Sequence, residues 1–191
     1  MNTQMEVFFL IGSLQVGGTE NHLSMVSRTL VKRGYKITVY NLSGDGVLGD
    51  AMLDADVNVI CPPFKSVSGK WKILNPVILS LSSLKLFLVF LFRRPKIVHF
   101  FLPHAYVIGV VMARCAGLQN LIMSRRSLNI YQGHLPFMAW IEQKLHSTMT
   151  AIIGNSRAVV TQLHQEEGVA EDKLRLIYNG IALESLTSFW M

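Results

Sequence analysis

The stretch Val7-Phe8-Phe9-Leu10-Ile11, broken by Gly12-Ser13-Leu14-Gln15-Val16-Gly17-Gly18 and resumed as Thr19-Glu20-Asn21-His22-Leu23, decides the fold. A short unbroken apolar run reads as a buried strand, and the segment after the glycines reads as a helix with Thr and Glu in its first turn. Strand, glycine loop and helix together mean an α/β chain. The turn leaves backbone N–H groups pointing out of the helix N-terminus, where they can hold an anion. Gly17 and Gly18 allow close approach of a ligand to the backbone, or simply make a tight turn.

Outward from that stretch, short apolar runs alternate with helical patterns. Strands are expected at Glu6–Ile11, Lys36–Asn41, Val57–Cys61, Lys96–Phe101, Asn120–Ser124, Thr150–Gly154 and Leu174–Tyr178. Helices are expected at Glu20–Arg33, Leu48–Asp54, Ile73–Phe92, His104–Ala116, Pro136–His146 and Ser156–Glu167. Gly34 and Gly117 end helices and Ser156 can begin one. The alternation predicts one Rossmann-like domain, a doubly wound parallel sheet in the order 3-2-1-4-5-6-7 with the glycine loop at its switch point. Gly44-Asp45-Gly46-Val47-Leu48-Gly49 matches the dinucleotide fingerprint as a pattern. It follows the second strand rather than the first, and no acidic residue ends the next strand, so it reads as a surface turn.

The chain has 191 residues, half of them hydrophobic (50%), and a net charge of +6. Its charge is unevenly spread. No acidic residue lies between Asp56 and Glu142, whereas Lys65, Lys70, Lys72, Lys85, Arg93, Arg94, Lys96, Arg114, Arg125 and Arg126 all do. Such a field favours phosphate-bearing substrates or acidic lipid head groups. Nucleic acid is disfavoured because the basic residues are not interleaved with exposed aromatics. Cys61 and Cys115, far apart and in apolar runs, are expected to be buried, reduced thiols of a cytoplasmic protein. No signal peptide is read at the N-terminus. The apolar segment Val77–Phe92, with Lys85 at its middle, is read as a helix packed on the sheet. It could also lie partly in a lipid interface, with Lys65, Lys70, Lys72, Arg93 and Arg94 on head groups at the inner face of a membrane.

Five segments recur in order in one family: Gly17-Gly18-Thr19-Glu20-Asn21-His22-Leu23, Lys32-Arg33-Gly34-Tyr35-Lys36-Ile37-Thr38-Val39, Pro95-Lys96-Ile97-Val98-His99, Asn155-Ser156-Arg157-Ala158-Val159 and Ile177-Tyr178-Asn179-Gly180-Ile181. On these the chain resembles the N-terminal domain of a family 4 glycosyltransferase of the two-domain GT-B type. The resemblance implies an acceptor-side domain over residues 1–186, a short tail at 187–191, and a donor-binding domain with a Glu-x7-Glu motif that this sequence does not contain. Ala182 replaces the Asp that usually follows Asn-Gly-Ile/Val. The complete enzyme would transfer a sugar from a nucleotide sugar with retention, without a metal or cofactor, to a glycan or a lipid-linked or phosphorylated acceptor. The chain alone would be inactive.

In that context Gly17 and Gly18 are expected to face a phosphate, and Glu20 either a ligand or its own helix dipole. His104 is placed at the ligand-binding edge, to bond acceptor hydroxyls or cap its helix. His99, inside a strand, is expected to be a satisfied core histidine. Arg125 and Arg126, ending the fifth strand, are taken together as an anion-binding pair. Asn155 and Ser156 either cap a helix or touch ligand, and Asn179-Gly180 is expected to be the hinge to a second domain. No paired carboxylates, nucleophile elbow or metal cluster supports a hydrolase. A nicotinamide-dependent dehydrogenase is disfavoured because the second strand closes Tyr40-Asn41-Leu42-Ser43 without an acid. The rival reading is a non-catalytic module that holds a glycan, lipid or partner protein.

Overall fold

A computed structural model describes residues 4–44, 46–64, 75–129 and 136–180. Seven strands form one sheet: β1 (Glu6–Ile11), β2 (Lys36–Asn41), β3 (Asn58–Ile60), β4 (Ile97–Phe101), β5 (Leu121–Arg125), β6 (Ala151–Gly154) and β7 (Leu174–Leu176). Every neighbouring pair is parallel, and the order is β3-β2-β1-β4-β5-β6-β7, as the strand–helix alternation predicts. The helices are α1 (Gly18–Lys32), α2 (Leu48–Leu53), α3 (Asn75–Arg93), α4 (Pro103–Cys115), α5 (Pro136–His146) and α6 (Arg157–Gln165), with a 3-10 turn at Glu171–Lys173. Both edge strands are shorter than the sequence suggests. Pro62-Pro63 cannot extend the β3 ladder, because proline has no N–H to donate.

Side-chain alternation along the strands divides the core in two. Phe8 and Leu10 of β1 and Val98 and Phe100 of β4 join the cluster under α3, α4, α5 and α6. Val7, Phe9 and Ile11 join the smaller cluster under α1 and α2. The sheet is thus wound on both faces, because connections that run in opposite directions along a sheet must lie on opposite sides to stay right-handed. Helix α4 lies close to the sheet through Gly109: a Cβ there would stand 2.3 Å from Leu10 Cδ2 and 2.6 Å from Phe100 Cε1.

The fingerprint-like glycines are more than a surface turn. Gly46 has φ +126, and a Cβ on it would fall 1.9 Å from the Leu14 carbonyl carbon. The Leu48 N–H donates to the Leu14 oxygen at 3.2 Å. The loop after β2 therefore props the glycine loop after β1.

Three expectations are corrected. Cys61 and Cys115 are free thiols, but both are exposed rather than buried. The apolar runs around them made them look internal, yet Cys115 sits on the solvent side of α4. Arg93 does not reach outward for head groups. Its Nη1 donates to Glu6 Oε1 at 3.3 Å and to Thr38 Oγ1 at 3.1 Å, bracing the starts of β1 and β2. The third correction concerns Arg125 and is given with the site. Lys65, Lys70, Lys72 and the tail 187–191 lie outside the described residues.

Candidate functional site

All strands point the same way, so their C-terminal ends share one edge. At that edge β1 and β4 send their chains to opposite faces, leaving the crevice where open α/β sheets bind ligands. The crevice is walled by the glycine loop after β1 and by Leu102 after β4. Leu102 has φ 71 and ψ 150, a region that leucine rarely adopts. Such a conformation costs on the order of 1–3 kcal/mol and persists only where its surroundings enforce it. Here Pro103 follows immediately and starts α4, and the Leu102 carbonyl accepts from Tyr106 N–H at 3.0 Å.

The glycine loop ends at Gly17, the N-cap of α1, and no side chain caps the first turn. A Cβ at Gly17 would stand 2.3 Å from Glu20 Oε2, so the Glu20 carboxylate folds back over this glycine. There it complements the positive end of the helix dipole. A Cβ on Gly18, by contrast, would meet open space.

Arg125 and Arg126 do not act as a pair. Successive side chains on a strand point to opposite faces, so two adjacent arginines at a strand end must part. Arg125 turns toward α5 and is buried. Its Nη2 donates to Glu142 Oε2 at 3.3 Å and to Glu167 Oε2 at 3.0 Å. Glu167 Oε2 also accepts from His146 Nε2 at 2.7 Å, and His146 Nδ1 meets the Tyr106 hydroxyl at 3.0 Å. This cluster ties β5, α4, α5 and the turn after α6 together, and it explains Arg125 as structure.

Arg126 takes the other face. It is half-buried, and burial lowers its pKa from the usual value. Among the described residues no carboxylate pairs with it; its Nη2 donates to Asn179 Oδ1 at 2.5 Å. Two histidines share its surroundings. His99, on β4, stacks on Phe101 and bonds Ser124 Oγ through Nε2 at 2.8 Å. Burial, then the Arg126 charge, then His22 push its pKa down to about 3, so it is neutral. His22, on α1, is also lowered, by burial first and then by Arg126. Its Nδ1 is buried without a hydrogen-bond partner. Among the described residues, the edge thus carries one guanidinium without a counter-charge beside two imidazoles that resist protonation.

The remaining candidates have simpler positions. His104 is exposed in the first turn of α4, at the same edge. Ser156 caps α6, its Oγ accepting from Val159 N–H at 3.3 Å. Asn155 Nδ2 donates to the Arg126 carbonyl at 3.1 Å, holding that loop to β6. Asn179 reaches Arg126, and a Cβ on Gly180 would lie 3.2 Å from Met25 Cε of α1. After β7 the chain therefore returns across the strand ends toward α1. His22 was not singled out from the sequence. Its signal was there: it lies one helical turn past the glycine loop, close enough to face the crevice.

Known proteins agree with this geometry. No curated protein matches the sequence. Among solved structures, Anabaena HepE in complex with UDP-glucose superposes with a TM-score of 0.74 at 18% identity, over 95% of this chain and 45% of that one. The lipopolysaccharide outer core galactosyltransferase WaaB gives 0.68 at 13% identity, over 93% and 46%. A glycosyltransferase from Rickettsia africae gives 0.64 at 17% identity, over 95% and 45%. The chain thus spans about half the length of these structures, and at such identities they establish the fold, one Rossmann-like half of a GT-B architecture. Residues 16–185 match the profile of Glycosyltransferase Family 4. With the doubly wound sheet and the glycine loop at its switch point, that match shows that the chain belongs to glycosyltransferase family 4.

Proposed function

We propose that this chain is the acceptor-side domain of a retaining glycosyltransferase, and that its acceptor carries an anionic group, a phosphate or a carboxylate, which Arg126 binds. The observation that carries this reading is the half-buried guanidinium of Arg126 near His22 and His99, which has no carboxylate partner among the described residues. An arginine can engage a phosphate or carboxylate through two parallel N–H bonds. Neutral His22 and His99 leave the site with a single positive charge and with ring nitrogens for sugar hydroxyls. The nucleotide sugar, the kind of ligand that HepE holds, would be bound mainly by a second domain, and the chain alone would not turn over.

Calorimetry with the 191-residue chain tests the division of labour. A sugar phosphate should bind, an uncharged sugar and UDP-glucose should bind far more weakly, and Arg126→Gln should weaken the sugar phosphate by roughly tenfold or more, the scale of one charge-assisted contact. Micromolar binding or turnover of UDP-glucose by the chain alone refutes the reading, as does an Arg126→Gln variant that binds the sugar phosphate unchanged.

A further inference from the structure

Helix α3 is apolar on both of its sides. Its inner side meets the sheet through Leu86 and Phe90, and Tyr40 O–H donates to the Ser82 carbonyl at 3.1 Å. Its outer side should therefore be polar. Instead Val77, Leu81, Leu84, Leu88 and Leu91, spaced 4-3-4-3, form one stripe exposed by 38–57%, and Phe92 beside its end is 80% exposed. At 1.5 Å per residue the stripe runs about 20 Å. The helix is long and apolar enough to cross a membrane, with a mean hydropathy of 1.8. Its attachments to β2 and to the core hold it in the layer with one side open.

The same layer continues the apolar surface. Val111 of α4 is exposed, and a groove of about 560 Å³ runs between α3 and α4, lined by Leu79, Leu84, Phe87, Met112 and Cys115 among others. On α5, Phe137 and Trp140 are both exposed and stack with ring centroids 6.2 Å apart. Exposed tryptophan beside aliphatic surface is the composition of a membrane–water boundary.

Charge selects the occupant. The acid-free stretch from residue 57 to 141 contains all of α3 and α4 and the outward aromatics of α5. Arg94 and Lys96 just past the end of α3 and Arg114 in the last turn of α4 are all exposed. A second copy would set two acid-free basic surfaces against each other. A bilayer containing anionic lipid offers apolar depth and negative charge together. We propose that the outer side of the α3–α4–α5 layer docks the protein on an anionic membrane surface, with the α3 stripe and Trp140 entering the head-group boundary. This does not depend on the transferase reading, because its test measures membrane binding alone.

The test is co-sedimentation of the 191-residue chain with vesicles of phosphatidylcholine alone or mixed with phosphatidylglycerol. Wild type should bind the acidic vesicles, release them in high salt, and bind neutral vesicles at least tenfold more weakly. The double substitution Leu84→Glu/Leu88→Glu should lower partitioning at least tenfold. The triple substitution Arg94→Gln/Lys96→Gln/Arg114→Gln should lower it on the order of a hundredfold, about fivefold per charge lost. All these positions are on the surface, and a melt matching wild type checks folding. Binding that ignores lipid charge and salt overturns the proposal. So does a stable dimer, seen by light scattering, that Leu84→Glu/Leu88→Glu dissociates while vesicles remain unbound. Binding of an acidic peptide in preference to vesicles overturns it as well.

Discussion

Replacing His99 by Asn should remove most of the acid sensitivity that the crevice gives to folding. The imidazole is held neutral, with its pKa pushed down to about 3 against an ordinary value of 6.5. A base whose folded pKa is depressed stabilises the fold fully above the unfolded value, and that stability is lost as pH falls through 6.5 toward 3. Between pH 6.5 and pH 5 the unfolded chain binds the proton and the folded one does not. At about 1.4 kcal/mol per pH unit, lowering the pH from about 7 to about 5 costs roughly 2 kcal/mol through this residue alone. Asn cannot titrate. Urea unfolding of both proteins at the two pH values gives the four stabilities needed. The variant can be less stable overall, having lost its stack on Phe101, but it should lose roughly 2 kcal/mol less between the two conditions. Contributions from other titrating groups largely cancel in that difference. Equal losses in the two proteins would show that His99 protonates freely and that the crevice is wetter than its geometry implies.

Three further substitutions probe the frame of the site. Arg125→Met leaves Glu142 and Glu167 buried without their shared guanidinium and should cost ~3–5 kcal/mol in denaturant unfolding; adding Glu142→Gln should return part of it. Gly109→Ala puts a methyl 2.3 Å from Leu10 Cδ2, and thermal unfolding should register ~1–3 kcal/mol of overpacking. Ser156→Ala removes the α6 cap and should cost ~1 kcal/mol while leaving sugar-phosphate affinity at the edge unchanged; a loss of affinity instead would make Ser156 a ligand.

Strand order, glycine loop and edge residues were legible because each follows from local pattern. Alternating strands and helices admit few topologies once crossovers must be right-handed. What was not legible depends on direction. Arg125 and Arg126 look equivalent in sequence, and only strand parity sends one to Glu142 and Glu167 and the other to the crevice. Both arginines were visible; their separation required the register. The composition of α3 announced an apolar helix, but composition is silent on which side faces water. Arg93 reads as an outward cation for the same reason, since its partner Glu6 is distant in sequence. Cys115 reads as internal because apolar neighbours in a helix can lie on the opposite face, and Cys61 because it directly follows the apolar edge strand β3.

The bond from Arg126 Nη2 to Asn179 Oδ1 joins two equilibria. Residues 177–180 leave β7 and cross toward α1, so any displacement of that crossing segment changes the donors Arg126 has free. An anion that takes the Nη2 edge competes with Asn179 for the same hydrogens. Linkage makes the effect reciprocal: whatever factor a bound anion contributes to releasing the crossing segment, release of the segment returns to the affinity for the anion. Asn179→Ala should therefore strengthen anion binding at Arg126, and the size of that gain measures how tightly the exit of the chain is coupled to the occupancy of the crevice.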